Sequence, residues 1–220
     1  MIKNILTDGM PDTIVVDGVP FEIYTDYRTW IKVGYKLKEL SAAKDQSEEQ
    51  YQKFVELCDL CIKDYPKGYL LADDIINSIL NFYAGFPKAE NEKAEKSREK
   101  DKQNPKPQSF DFVFDAPYIY CSFLSFYHID LYDVEYMHWW KFLTLFEGLM
   151  MSEQTSVNFI VGARQQTVKS TMPKEEKARI QKLKAQFALP EDEITKSAKN
   201  KLTSILGSVP KKQNPDKTAE

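Results

Sequence analysis

Reactive side chains are scarce in this sequence. Its 220 residues include two histidines and three cysteines. None of the patterns H-E-x-x-H, G-x-S-x-G, the P-loop or the dinucleotide-binding glycine fingerprint occurs, so the common metalloprotease, hydrolase and nucleotide-binding chemistries have no local foundation. Cys58 and Cys61 have C-x-x-C spacing, but no second pair completes a zinc set, and helical spacing places both thiols on one face. They read as plain buried thiols in a reducing compartment, and Cys121 stands apart. No apolar run reaches transmembrane length and the first residues lack a secretory apolar stretch, so a cytoplasmic location and no membrane partner are expected. Thirty basic residues face thirty-three acidic ones, for a net charge of −3. Without an arginine-rich stripe, nucleic acid is not an expected partner.

What the chain has in excess is aromatic rings, concentrated in one place. Phe110–Leu149 holds fourteen of the 28 aromatic residues and both histidines, His128 and His138. The apolar content of 42 % and charged content of 29 % are those of an ordinary globular protein. An aromatic density of this kind builds a core or a surface that holds a partner.

The pattern along the chain predicts a mainly α fold, helical bundle units with a small N-terminal β-hairpin. Thr13–Val16 and Val19–Tyr24 flank the tight-turn dipeptide Asp17-Gly18, and Pro20 belongs on an edge. Such a hairpin is marginal alone and should lie on helices. Thr25 or Asp26 caps a first helix running through Trp30, Val33 and Leu40. Ser47–Gln50 is a capping box for a second, with a stripe through Phe54, Cys58 and Ile62. A third covers about Leu70–Tyr83, ending at Gly85 and Pro87. Residues 1–87 thus make one unit. Residues 88–109 contain no Val, Ile, Leu, Met or aromatic residue and read as a charged, flexible linker.

Residues 110–190 form an aromatic-rich helical unit. Phe110–Phe114 alternates as a short strand or extended arm. Asp115 is the expected cap of a helix through Ile119, Phe123, Phe126 and Tyr127, with Pro117 in its first turn. Asp133 is the expected cap of a second, carrying Tyr136, Trp139, Trp140, Leu143, Phe146 and Leu149. The short connection makes the two an antiparallel pair. Phe123, Phe126, Tyr136, Trp139 and Phe146 are the candidates for its core. A weaker apolar pattern follows over Glu153–Gly162. A last helix over Pro173–Ala188 is capped by Ser170 or Thr171 with Pro173 at its first position. Residues 191–220 read as a weakly helical to disordered tail.

Adjacent helical residues point about 100° apart, so Trp139 and Trp140 are both buried only if the helix is covered over a wide arc. Either the N-terminal unit covers the second tryptophan, or Trp140 faces a partner. Trp140, Trp139, Tyr136 and Phe126 are therefore the candidate partner-binding residues, and on that reading Trp140→Ala would weaken a complex while leaving the fold intact. His138 reads as a half-buried histidine bonded to backbone or Glu135. A metal or enzymatic site would require His128, Asp130 and His138 to converge.

The aromatic block resembles the bacteriophage Gp15 family of tailed phages and prophages of Gram-positive bacteria. The matching elements are Phe110–Asp115, Tyr118–Phe123, Ile129–Leu131, the His-Trp-Trp-Lys-Phe segment within Met137–Phe142, and Phe146–Leu149. Ile23–Lys32, Phe82–Phe86, Gly162, Arg164 and the run to Leu189-Pro190 extend the likeness over roughly residues 13–190. The resemblance implies a non-enzymatic tail assembly chaperone without a cofactor. Such a protein would coat the tape-measure protein before tail-tube polymerisation and be absent from the finished virion. Further candidate partners are the tail-tube protein and a second copy of the chain. The alternatives are a structural tail or connector protein retained in the virion, a metal-binding or enzymatic protein using His128 and His138, and a regulatory adaptor of host proteins.

Overall fold

The structure is a computed structural model, and it describes residues 6–43, 48–66, 72–86 and 109–190. The linker, the tail and Ser47 of the expected capping box lie outside the described residues. The helices and hairpin described below belong to one compact unit, Met1–Ala188.

The chain begins with the expected hairpin, β1 (Thr13–Val16) and β2 (Val19–Glu22), antiparallel with Ile14 opposite Phe21 and Val15 opposite Pro20. Asp17 and Gly18 both take positive φ, at 49° and 77°, which matches the turn twist to that of the strands. Ile14 and Val16 are buried, and β1 packs on α3 (Ala72–Tyr83), where the Ser78 hydroxyl donates to the Val15 carbonyl at 2.8 Å. Beyond β2 the chain is tied to the end of α2 (Glu48–Cys61): the Tyr24 amide donates to Cys61 O and the Lys63 amide to Glu22 O. The hairpin is thus held by helices on both sides of its sequence.

α1 (Tyr27–Ala42) is capped by Asp26, whose carboxylate accepts from the Arg28 amide at 3.0 Å. It packs against α2 and also against α5 (Trp139–Met151), while α4 (Ala116–Tyr127), α5 and α6 (Ser156–Gln165) pack on one another and α7 (Lys174–Gln186) packs on α6. The fold is mainly helical, as expected. Among the described residues no helix is long and apolar enough to cross a membrane.

The aromatic rings form one connected core. Phe142 stacks on Tyr27 at 4.8 Å, on Phe123 at 5.2 Å and on Trp139 at 5.7 Å between centroids. Phe112 reaches Trp139, Phe142 and Phe146 from the chain preceding α4. Phe82 joins Trp30 to Trp140. Ring pairs in these offset or tilted arrangements stabilise by about 0.5–1.5 kcal/mol each beyond their area burial. The rings of Tyr27, Trp30, Phe82 and Tyr83 and the buried rings of the 110–149 block, Phe123, Trp139, Trp140, Phe142 and Phe146, therefore share one core.

Four local expectations are refined or corrected. Phe110–Phe114 is not a strand. Asp111 is buried, and its Oδ1 accepts from the amides of Val113 and Phe114 and from the Tyr35 hydroxyl, while Lys38 pairs with Oδ2 at 3.2 Å. Those bonds wind the chain into a turn. Burial by itself would raise the Asp111 carboxyl, but the Tyr35 hydroxyl, the two amides and Lys38 outweigh it and bring it down to about 2. Asp115 holds the expected cap position of α4, but its side chain makes no cap bond. Its carboxylate is bound by the Arg164 guanidinium at 2.7 and 2.6 Å and accepts from the Asp111 amide at 2.9 Å. Asp133 does not start α5; the chain from Leu131 is irregular until His138, the true cap. At the last helix Pro173 itself is the cap residue, so neither Ser170 nor Thr171 holds that place.

The Asp115–Arg164 pair is nearly dry: the two side chains are 2 % and 11 % exposed. Arg164 also donates to the carbonyls of Ser109 and Phe187, so one guanidinium holds the chain before α4, the start of α4 and the end of α7. Removing one partner strands the other as an unpaired buried charge. Arg164→Ala or Asp115→Ala should cost about 3–5 kcal/mol in urea unfolding, and the double replacement Asp115→Leu with Arg164→Met should cost less than either.

Candidate functional site

The segment His138-Trp139-Trp140 joins three parts of the molecule. His138 Nδ1 accepts from the Trp140 amide at 3.0 Å and so caps α5. That bond requires Nδ1 to be unprotonated, so Nε2 carries the hydrogen and donates to Pro11 O at 2.9 Å. The Trp139 indole donates to Tyr83 O at 3.0 Å and the Trp140 indole to Phe82 O at 2.9 Å. Those carbonyls belong to the last turn of α3: Phe82 O also accepts from the Gly85 amide at 3.1 Å, while Tyr83 O lies past the last intrahelical donor. The segment also pairs with the chain entering α1: the Trp139 amide donates to Thr25 O and the Tyr27 amide to Met137 O.

Both tryptophans are buried, Trp139 at 0 % and Trp140 at 8 % exposure. Phe82 and Phe86 lie on the Trp140 ring at 5.4 and 4.6 Å. The wide cover that adjacent tryptophans need is supplied by the end of α3 and Phe86, the first of the two arrangements open to the sequence. Trp140 is a fold residue. The other two candidates lie elsewhere: Tyr136 is 58 % exposed, before α5 rather than on it, with its hydroxyl on Thr25 at 2.7 Å, and Phe126 is 41 % exposed near the end of α4. Neither belongs to the core in which the sequence placed them. The irregular stretch before α5 is held from below, by the Tyr27 hydroxyl and Arg28 on Leu131 O and by Arg28 on Val134 O.

No ligand set forms around the histidines. His128 ends α4 in a left-handed conformation (φ 57°), Asp130 accepts from the Tyr120 hydroxyl and the Tyr132 amide, and His138 is committed to Pro11. Among the described residues no three His, Cys, Asp or Glu side chains are placed to hold a metal. Cys58 and Cys61 are buried, and burial pushes the Cys58 thiol up to about 12 and the Cys61 thiol up as well. Neither is a nucleophile at neutral pH. Cys121 is exposed.

α4 is the unexpected surface. Its twelve residues include no charged side chain, yet only Ile119, Ser122 and Phe123 are buried. Tyr118, Tyr120, Leu124 and Phe126 are left exposed, and Phe159 of α6 lies open nearby. The signal was in the sequence, as the missing charge between Asp115 and Asp130. It passed for core because burial and exposure of an apolar helix look alike without its neighbours.

A family model for bacteriophage Gp15 proteins matches residues 6–189. The chain belongs to that family. It is thereby a non-enzymatic phage protein of the tail-assembly chaperone type. No curated protein and no solved structure shows a significant match. The His-Trp-Trp-Lys-Phe segment that carries the resemblance is, in this family member, a structural junction: its polar atoms cap helices and its rings fill the core. Gly148, in the matching Phe-Glu-Gly-Leu element, has its own structural reason, because a Cβ there would collide with the Tyr127 hydroxyl that donates to Leu145 O.

Two outcomes follow for the junction. Trp140→Ala should destabilise the fold by about 3–5 kcal/mol in thermal or urea unfolding, while Trp140→Phe should cost less because the ring volume is largely kept. Burial holds His138 below the ordinary imidazole range, against the pull of Pro11 O and Asp12. A base whose folded pKa is depressed stabilises above its unfolded value of about 6.5 and loses that contribution as pH falls through it. The urea midpoint should therefore drop as the pH falls below about 6.5, and His138→Asn, which can still cap, should flatten that part of the profile.

Proposed function

We propose that this chain binds the phage tape-measure protein in the host cytoplasm, shields it until tail-tube polymerisation, and leaves before the virion is complete. Family membership supports the chaperone role, and the observation that carries the client-binding reading is α4, an uncharged helix with most of its length exposed. A long helical client that must stay soluble until it is used needs a transient apolar cover, and a helix laid on an apolar face is a common way to provide one. Phe126 and Tyr136 are the exposed members of the partner-binding set, and they remain proposed contacts. Trp139 and Trp140 support the core behind the binding surface.

Co-expression with the tape-measure protein should give a soluble complex that co-purifies, and the client alone should be mostly insoluble. Mass spectrometry of purified virions should find the chain absent or far below the tube protein. A stoichiometric amount in the particle would instead assign it to the tail structure and end the chaperone reading.

A further inference from the structure

We propose that the outer face of α4, formed by Pro117, Tyr120, Cys121 and Leu124, docks an amphipathic helix of the partner whose apolar stripe is flanked by lysine or arginine. This inference rests on the chaperone reading and specifies where and what that reading would bind. At 100° per residue, Pro117, Cys121 and Leu124 lie opposite the buried Ile119 and Phe123, with Tyr120 at one margin and Tyr118 towards the other. All of them are exposed, Tyr120 at 36 % and Leu124 at 41 %. An isolated exposed leucine is ordinary; a helix without one charge over twelve residues is not.

The edges of the strip indicate the chemistry of its occupant. On one side the Tyr120 hydroxyl holds both carboxylate oxygens of Asp130 at 3.1 Å, and Asp133 lies near enough to act on the same hydroxyl. On the other, Tyr118 opens onto a groove of about 300 Å³ lined by Phe159, Ile160 and Phe187, with Glu153 in its wall. The strip is thus apolar along its length with carboxylates at its borders, and α4 supplies no cation to neutralise them. A second copy presenting the same face would bring uncharged α4 against uncharged α4 and add its own carboxylates. Phosphate-bearing partners would meet the same repulsion. A helix with an apolar stripe and cationic flanks satisfies both features, burying the stripe on Leu124 and Tyr120 and placing ammonium or guanidinium groups at Asp130 and Glu153.

Cys121 provides the readout. It is the one exposed thiol of three, with Cys58 and Cys61 buried, so alkylation under native conditions reports on the strip. Two synthetic amphipathic helices with the same leucine stripe, one flanked by lysine and one by glutamate, are offered to the full chain. The lysine-flanked helix should bind and slow Cys121 alkylation. Binding should fall about tenfold or more for the glutamate-flanked helix, for Leu124→Glu, and for Asp130→Asn combined with Glu153→Gln. Near-UV circular dichroism of the variants checks that the core is intact. Equal binding of the two helices, or binding indifferent to Leu124→Glu, overturns the proposal. So does sedimentation showing a dimer whose formation alone protects Cys121. If the tape-measure protein co-purifies equally with the Leu124→Glu variant, the docking face is wrong and the chaperone reading stands. If the lysine-flanked helix binds the strip but the wild-type chain fails to retain the tape-measure protein, the face is right and the client assignment fails.

Discussion

Two indole hydrogen bonds tie the start of α5 to the end of α3. Trp139 and Trp140 donate to the consecutive carbonyls of Tyr83 and Phe82, at the end of α3. A helix end buried without partners is costly, because each orphan carbonyl leaves water without a replacement. Here the Trp139 indole supplies a donor to Tyr83 O, and the Trp140 indole adds a second donor to Phe82 O beside the Gly85 amide. Orientation and burial are therefore linked: the Trp139 ring cannot leave the core without freeing Tyr83 O. His138 sets the direction of α5 that makes this possible, since its Nδ1 receives the Trp140 amide and its Nε2–H reaches Pro11 O. All three tryptophans of the chain follow this rule, Trp30 giving its indole hydrogen to Tyr24 O.

The second constraint is the treatment of buried charge. Asp115 and Arg164 are nearly dry and satisfy one another in a two-pronged contact, with the remaining donors of Arg164 on backbone carbonyls. Asp111 is surrounded by a hydroxyl, two amides and a lysine. These carboxylates stand immediately before α4 and organise its approach, which is why the 110–115 segment turns rather than extends. The start of α4 is anchored in this way, and its inner side rests on Phe142 through Phe123. Its outer side is left exposed.

Much of the fold could be read from local chemistry. The Asp17-Gly18 turn, the Asp26 cap and the apolar stripes of α1 to α3 follow from short-range preferences that the packing did not overrule. The errors share one cause. Local preference points Asp133 to a cap and Asp111 to an alternating arm, and Asp115 to the cap it does occupy, but the carboxylates of Asp111 and Asp115 go to long-range contacts, with Tyr35 and Lys38 and with Arg164. Tyr136 was placed on a helix that had not yet begun, because His138 is an uncommon cap and leaves no strong sequence mark.

By itself the sequence determined the fold class, the family and the exclusion of familiar catalytic motifs, because periodicity, turn dipeptides and an aromatic signature are properties of neighbouring residues. It also contained the one helix without a charge among the described residues. Only the tertiary structure decided that Trp140 is covered and that α4 is not. Both segments are apolar, and hydrophobicity states a need for cover without saying whether the molecule supplies it. The end of α3 lies over Trp140, while Leu124 and Tyr120 face away from the core, and that difference in neighbours is what separates a core residue from a surface one.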